Sequence, residues 1–474
     1  MTLLAFDTRA AVDRETTAAA LQQPMRRERL AIVVTGGKLC GVAAYAAALR
    51  RQLSELFDVT VFELDQYLLR NTNRSVRSMA DEHIRNICKQ IASFDAVNLQ
   101  LEYGTLGQQG TDIYRRFCWL TAAASRLSVT FHTLLTPPRF DRSGFIKAIF
   151  ALQWRTVGRI NAGYRRHRLL SCGIADHLHR LQRSKQVSVI VHNRRDFSDA
   201  KYLYGMRNVF DHPLAFLTEP EVNAVLACAS RSALPMVQAL PADAVLIGVF
   251  GFLNEYKGFG TAIEALHHLP PNHHLLIFGG IHPNEIAARQ QIHPYISSLF
   301  SAAYIGKTVY DRLSLPRDQN APVLTLGSEH GLSELLGGHP RDLSGRIHFM
   351  GALSDNEFLT GMAICDAVVF PYLEVGQSAS GPISQALELG CRIVASSTHT
   401  FLEFAEYHRD AIELFDIGNH LELAERILAR PQFAAPRKFP KFNAETNKAI
   451  YLLANGTPPS GSAASAPARR AEQA

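Results

Sequence analysis

Short runs of consecutive apolar and β-branched residues alternate along the chain with stretches in which apolar residues recur every three or four positions. A strand covered on both faces reads as a continuous apolar run, and a helix packed on one side reads at a period near 3.6 residues. The first set of predicted strands is Leu30–Thr35, Val59–Leu64, Ala96–Leu101, Ser128–His132, Leu169–Cys172 and Val187–His192. The second is Val245–Phe250, His274–Phe278, Arg346–Met350, Ala367–Phe370, Arg392–Ser396 and Ile412–Phe415. Strands alternating with helices predict parallel sheets with helices on both faces. The expected fold class is α/β, with two doubly wound, Rossmann-like parallel-sheet domains facing a cleft and joined near Leu234–Asp243. Residues 1–28 read as a loose tail, 29–238 as the first domain and 239–430 as the second. Residues 431–453 read as a helical segment returning to the first domain, and 454–474 as a low-complexity tail expected to be disordered. One stretch breaks the alternation: after a predicted helix at Pro283–Leu299 the chain runs to Arg346 without a clear strand, which is long for a connection.

Composition narrows the class. A chain of 474 residues exceeds one ordinary core, and 47% hydrophobic with 19% charged residues is globular. No uncharged apolar run reaches the roughly 18 residues of a membrane span, and Asp7 interrupts the short apolar start, so neither a transmembrane helix nor a signal peptide is expected. The seven cysteines show no CxxC, which predicts free thiols in a reducing, cytoplasmic setting. His267-His268 and His273-His274 flank a turn and read as a surface loop, and no metal or cofactor motif is present. The net charge of +6 is uneven: residues 139–168 hold eight Lys or Arg and one acid, Asp141. Ile146, Ile149, Phe150, Trp154, Val157 and Ile160 interleave there at roughly helical spacing. Such a helix suits an anionic membrane surface, or forms a solvated face over ordinary core contacts. No nucleic-acid module is recognisable, and none is expected as a partner.

The candidate chemistry lies where predicted strands end. Gln377–Ser396 reads as a small-residue turn, a short helix from Pro382 to Leu389 and a buried strand. Small residues at a helix start let N–H groups approach an anion, which the helix dipole favours. Ser378, Ser380 and Gly381 are therefore candidates for holding a diphosphate. After the first predicted strand, Thr35–Val42 carries Gly37 and Gly41, which permit close backbone approach without forming a dinucleotide fingerprint. Gly251–Gly258 follows another strand, and Lys257 there can meet a phosphate or be merely solvated. His132 ends a strand and can donate to a sugar hydroxyl or leaving oxygen, or be structural; His192 is similar and less specific. Glu102, just past another strand, can accept from hydroxyls.

Taken together, these segments resemble family 4 of the retaining glycosyltransferases, with the two-domain GT-B fold, over about Leu30 to Ala429. GGKLCGVAAYAAALRRQL is similar to the family's glycine loop and first helix, and DAVNLQLEYGTLG to the strand ending in Glu. VTFHTLLTP resembles the strand with a donor-contacting His, VIVHNRRD the "IPHG" strand, GVFGFLNEYKG the "GRL…KG" segment, and RIHFMGALSDNEFLTGMAICDAVVFPY the run to the donor loop. The resemblance implies catalytic roles for His132, Lys257 and Glu102. It implies donor contacts at Gly37, Gly41, Gly251, Lys257, Gln377, Ser378, Ser380, Gly381 and Gln385. It further implies a nucleotide-diphospho-sugar co-substrate without metal or other cofactor, the first domain as acceptor side and the second as donor side. The expected acceptor is lipid-linked or a polysaccharide, and the basic stretch at 139–168 motivates its placement at the inner face of a bacterial membrane. The departures are specific. Gln377 and Gln385 stand where the family often has two Glu, and Phe252 where an Arg is expected. A non-catalytic subunit of the same fold, or a nucleotide-sugar epimerase, would also fit these departures.

Overall fold

The computed structural model describes residues 27–36, 41–281, 294–296, 298–299, 343, 345–429 and 439–456. The first sheet comprises β1 (Arg29–Thr35), β2 (Asp58–Leu64), β3 (Ala96–Leu101), β4 (Leu127–Phe131), β5 (Val187–Val191) and β6 (Val209–Asp211), in the order β2-β1-β3-β4-β5-β6. The second comprises β7 (Val245–Phe250), β8 (His273–Phe278), β9 (Ile347–Gly351), β10 (Ala367–Phe370), β11 (Ile393–Ser396) and β12 (Ile412–Phe415), in the order β12-β11-β10-β7-β8-β9. The strand pairs are parallel throughout. Every residue of β3, β4, β5 and β8 is buried, so these strands are apolar apart from a few polar side chains that must find partners inside. Alternate side chains feed opposite layers: Ile32 and Val34 join one apolar cluster, Ala31 and Val33 another.

Two elements differ from expectation. Leu169–Cys172 is not a strand; it continues the helix Trp154–Arg168 through a wide turn, Leu169–Gly173, into the helix Ile174–Leu181. Its buried apolar residues, Leu170, Ile174 and Leu178, recur every fourth position, and a four-residue apolar run cannot separate the two readings. The remaining strand of the first sheet is instead β6, three half-buried residues with little apolar signal. His273 and His274 are likewise not in a loop: they open β8 and are buried, with His274 Nδ1 3.1 Å from His348 Nε2 on β9. The six described cysteines are free thiols, half-buried except for exposed Cys228. Residues 1–26 and 457–474 of the predicted tails, most of the predicted helix Pro283–Leu299 and nearly all of the insertion after it lie outside the described residues, while the start of the second predicted tail, at 454–455, is helical and ends the helix Ala444–Asn455.

One apolar cluster crosses between the sheets, running from Leu30, Tyr45 and Tyr451 through Phe216, Leu217 and Val222 to Leu246, Phe370 and Ile383. The helix Glu219–Cys228 packs on the helix Asp355–Ile364 of the second sheet. The final described helix, Ala444–Asn455, lies on β3–β6 and on the helix Gly41–Leu53 of the first. Each sheet reverses its winding once, between β1 and β3 and between β7 and β10. Crevices open at the carboxyl ends of strands at such switch points, and ligands bind there.

Candidate functional site

At the β7–β10 switch point, the loop after β7 meets the segment after β10. Gly251 turns with φ 132°, a short turn follows at Glu255–Lys257, and Gly258 takes φ 66°. A Cβ on Gly258 would lie 1.7 Å from the Pro371 carbonyl oxygen, so only glycine lets the loop press against the end of β10. Lys257 is 6% exposed. Its Nζ donates to the Tyr372 hydroxyl at 2.5 Å and lies 3.8 Å from that ring's centroid. The Tyr372 hydroxyl in turn shares a hydrogen bond with Ser380 Oγ at 3.1 Å. Lys257 has no carboxylate partner among the described residues, and burial pushes its pKa down to about 7. A lysine held out of water without an anion is costly while charged, which is why it sits so far below its ordinary pKa.

The helix Gly381–Glu388 begins at this point. Ser380 stands at its N-cap but makes no capping bond, because its hydroxyl is taken by Tyr372. Pro382 contributes no N–H, and the remaining first-turn amides have no side-chain cap at the positive end of the helix. Gln377 Nε2 donates to the Ala379 carbonyl at 2.6 Å, which leaves its Oε1 buried and unpartnered. The bond to a carbonyl fixes that orientation, since the flipped amide would set two oxygens against each other. Gln385 is half-buried on the same helix, and its side-chain amide makes no hydrogen bond among the described residues.

The first domain contributes the ends of β3, β4 and β5. His132 follows β4, with Nε2 2.8 Å from Gln100 Oε1. The Gln100 amide nitrogen faces Asn98 Oδ1 at 2.5 Å, so its oxygen faces the imidazole and His132 carries its proton on Nε2. Burial and the neighbouring His192 hold the His132 pKa well below the ordinary value, so the ring is neutral. With the proton on Nε2, Nδ1 is a lone-pair acceptor. His192, 5.1 Å away between ring centroids, donates Nδ1–H to the His212 carbonyl at 3.0 Å. Its Nε2 is buried without a partner, and burial pushes its pKa down to about 4. Tyr45 stands edge-on to both imidazoles. Glu102, at the end of β3, accepts from Thr133 Oγ1 at 3.3 Å, and burial raises its pKa.

The two halves touch at the helix Gly381–Glu388 and the turn before it. Asn193 Nδ2 donates to the Ser378 carbonyl at 3.0 Å, and Glu388 accepts from the Phe216 and Leu217 amides at 2.8 and 3.1 Å. A cavity of about 10 Å³, the room of one water, lies between His192, Asn193, Ser378, Ser380 and Thr400. The structure thus connects His132, through His192 and this cavity, to Ser378, Ser380, Tyr372 and Lys257. Gly251 packs on the Lys257 side chain, and Gly381 leaves room for Phe216. Glu102 lines a separate, larger cavity beside this line. Gly41 opens its helix, where a Cβ would meet nothing within 4 Å among the described residues, and Gly37 lies outside the described residues. Tyr372, Asn193, Gln100 and Glu388 were not singled out from the sequence. The polar Asn98 and Gln100 inside an otherwise apolar strand were the visible signal for the His132 support.

No protein-family model matches the chain, and no curated protein matches it. Solved structures do. A UDP-forming α,α-trehalose-phosphate synthase from Burkholderia xenovorans matches at 11% identity and TM-score 0.57, over 90% of this chain and 98% of that one. Sucrose-phosphate synthase from Thermosynechococcus elongatus matches at 15% identity and TM-score 0.51, over 90% and 96%. The α,α-trehalose 6-phosphate synthase from Burkholderia multivorans matches at 11% and 0.51, over 90% and 93%. At these identities the likeness speaks for fold, and with the two six-stranded parallel sheets it gives the chain the GT-B fold.

Proposed function

We propose that this chain is a glycosyltransferase that binds a nucleotide-diphospho-sugar and transfers its hexose, with retention and without metal, to a lipid-linked or polysaccharide acceptor. The observation that carries the reading is Lys257: a buried, unpaired cation at the β7–β10 switch point, tied through Tyr372 to Ser380 beneath an uncapped helix start. That arrangement suits a diphosphate, with Lys257 as point charge and the first-turn amides as donors. As the glycosidic bond breaks, charge grows on the leaving phosphate, and groups already oriented toward it stabilise it without reorganisation. The buried Gln377 Oε1 and His132 Nδ1 are acceptors suited to sugar hydroxyls. The trehalose-phosphate synthase of the same fold is described as UDP-forming, which supports UDP as the first nucleotide to try.

Thermal shift with UDP, GDP and their sugars, with and without Lys257→Ala, tests the donor site. A nucleotide-dependent rise in melting temperature that the substitution abolishes is the expected result. No rise with any nucleotide would remove the transferase reading. It would favour a non-catalytic subunit, a reading that Phe252 in place of Arg and the glutamines at 377 and 385 also support. Product formed from the nucleotide-sugar alone, with no acceptor, would instead identify an epimerase.

A further inference from the structure

The helices Arg142–Phe150 and Trp154–Arg168 pack on each other as a hairpin. Phe140 joins them, with its ring against Phe145 and Tyr164. The turn between them projects its apolar side chains outward: Phe150 is 84% exposed, Leu152 72% and Trp154 64%, with Ile146 and Ile149 exposed beside them. Leu152 holds φ 52°, a region that leucine rarely adopts. In the second helix no residue is buried. Scattered exposed apolar residues are ordinary, but five within nine positions at one tip are not. Around them stand exposed Arg142, Lys147, Arg155 and Arg159, and none forms an ion pair among the described residues. The stretch's acid, Asp141, is occupied in capping its own helix through the Gly144 amide at 2.8 Å.

We propose that this hairpin docks the protein on an anionic lipid bilayer, with Phe150, Leu152 and Trp154 entering the boundary between headgroups and acyl chains. Aromatic and aliphatic side chains at a tip ringed by unpaired Lys and Arg match that boundary in both polarity and charge. A second copy of the chain is a poorer occupant, because it would set one basic rim against another. The same helix ends in Arg166 and His167, which with Glu102 and Thr133 line an open cavity of about 380 Å³. Fifteen helical residues span about 22 Å, so docking at the tip holds this cavity within that distance of the lipid surface. An acceptor carried on a lipid headgroup would reach it there.

The test uses the full chain and sedimentation with vesicles of phosphatidylcholine alone or mixed with phosphatidylglycerol. Binding to the anionic vesicles, weakened by salt, is expected. Phe150→Asp with Leu152→Asp should weaken it at least about tenfold, as should Arg155→Glu with Arg159→Glu. In a Trp119→Phe background, Trp154 emission should shift to the blue on binding. These side chains are exposed, and unchanged melting temperatures would establish that the variants fold. No binding to anionic vesicles at low salt would overturn the proposal and leave the face for an acidic protein. Binding that both double variants retain would overturn it equally. Vesicle binding is read without turnover or nucleotide, so it stands or falls apart from the transferase reading.

Discussion

Replacing Lys257 by Met removes the charge while keeping length and apolar bulk, and its consequences can be worked from the site. Burial takes the lysine from its ordinary 10.5 to about 7. That difference of about 3.5 corresponds to roughly 5 kcal/mol at about 1.4 kcal/mol per tenfold. The native state therefore binds fewer protons than the unfolded chain between pH 7 and 10.5. Stability falls as pH drops through that window, and the full penalty is present below it. After relaxation and loss of the Tyr372 hydrogen bond are allowed for, Lys257→Met should stabilise the free protein by about 1–3 kcal/mol at pH 7. Diphosphate binding works in the opposite direction, because the anion pulls the lysine pKa back up. At pH 8 the free site is about one-tenth protonated and the occupied site nearly fully, so about 0.9 proton should be taken up per UDP bound. The phosphate, with a second pKa near about 6, contributes little at that pH. Titration calorimetry at pH 8 in two buffers of different ionisation enthalpy reads the number directly. UDP binding without proton uptake, or uptake that Lys257→Met leaves unchanged, would refute the reasoning.

Three further outcomes are expected. Glu388 is held up at about 8 by burial, against an ordinary 4.5, so its contribution to stability is full below pH 4.5 and declines as pH rises to 8; Glu388→Gln should lose that slope in denaturation at pH 5 and pH 8. Tyr451→Phe removes a hydroxyl that meets Thr130 Oγ1 at 2.9 Å and Gln100 Nε2 at 3.3 Å. It should cost about 1–3 kcal/mol in denaturant unfolding, and it should lower turnover more than UDP affinity, because Gln100 orients His132. Gln377→Glu places a carboxylate 2.6 Å from the Ala379 carbonyl, where the amide now donates; UDP affinity should fall by about tenfold in calorimetry, and a gain would show that the turn does not depend on this bond.

The strands were legible because parallel sheets bury both faces, and a continuous apolar run such as Leu30–Val34 has few other uses. The reading failed at Leu169–Cys172 and at β6 for the same reason: over three or four residues, period alone does not separate helix from strand. The position of Lys257 was legible from a glycine-bounded turn after a strand. Its partner was not, because Tyr372 lies 115 residues away and meets it only through the β7–β10 crossover. In sequence, Gln100 is a polar interruption of β3. Its reason arrives from the helix Ala444–Asn455, where Tyr451 and Asn455 hydrogen-bond to Gln100 and Ser128, on β3 and β4.

The departures from the expected motif become coherent once these partners are visible. A Glu at position 377 would repel the Ala379 carbonyl that Gln377 now binds, so the small-residue turn in this form requires a donor there. With Phe252 where the resemblance expects an arginine, the loop after β7 carries fewer formal charges. What replaces them is placement: a lysine buried to 6% exposure acts through a lower effective dielectric than a solvated arginine would. The helix start above it keeps its amides free because Ser380 is drawn to Tyr372 rather than into a cap. The chain from Lys257 to Tyr372 to Ser380 therefore performs two tasks at once, desolvating the cation and uncapping the helix. Under the proposed function both tasks serve one anion, the donor diphosphate.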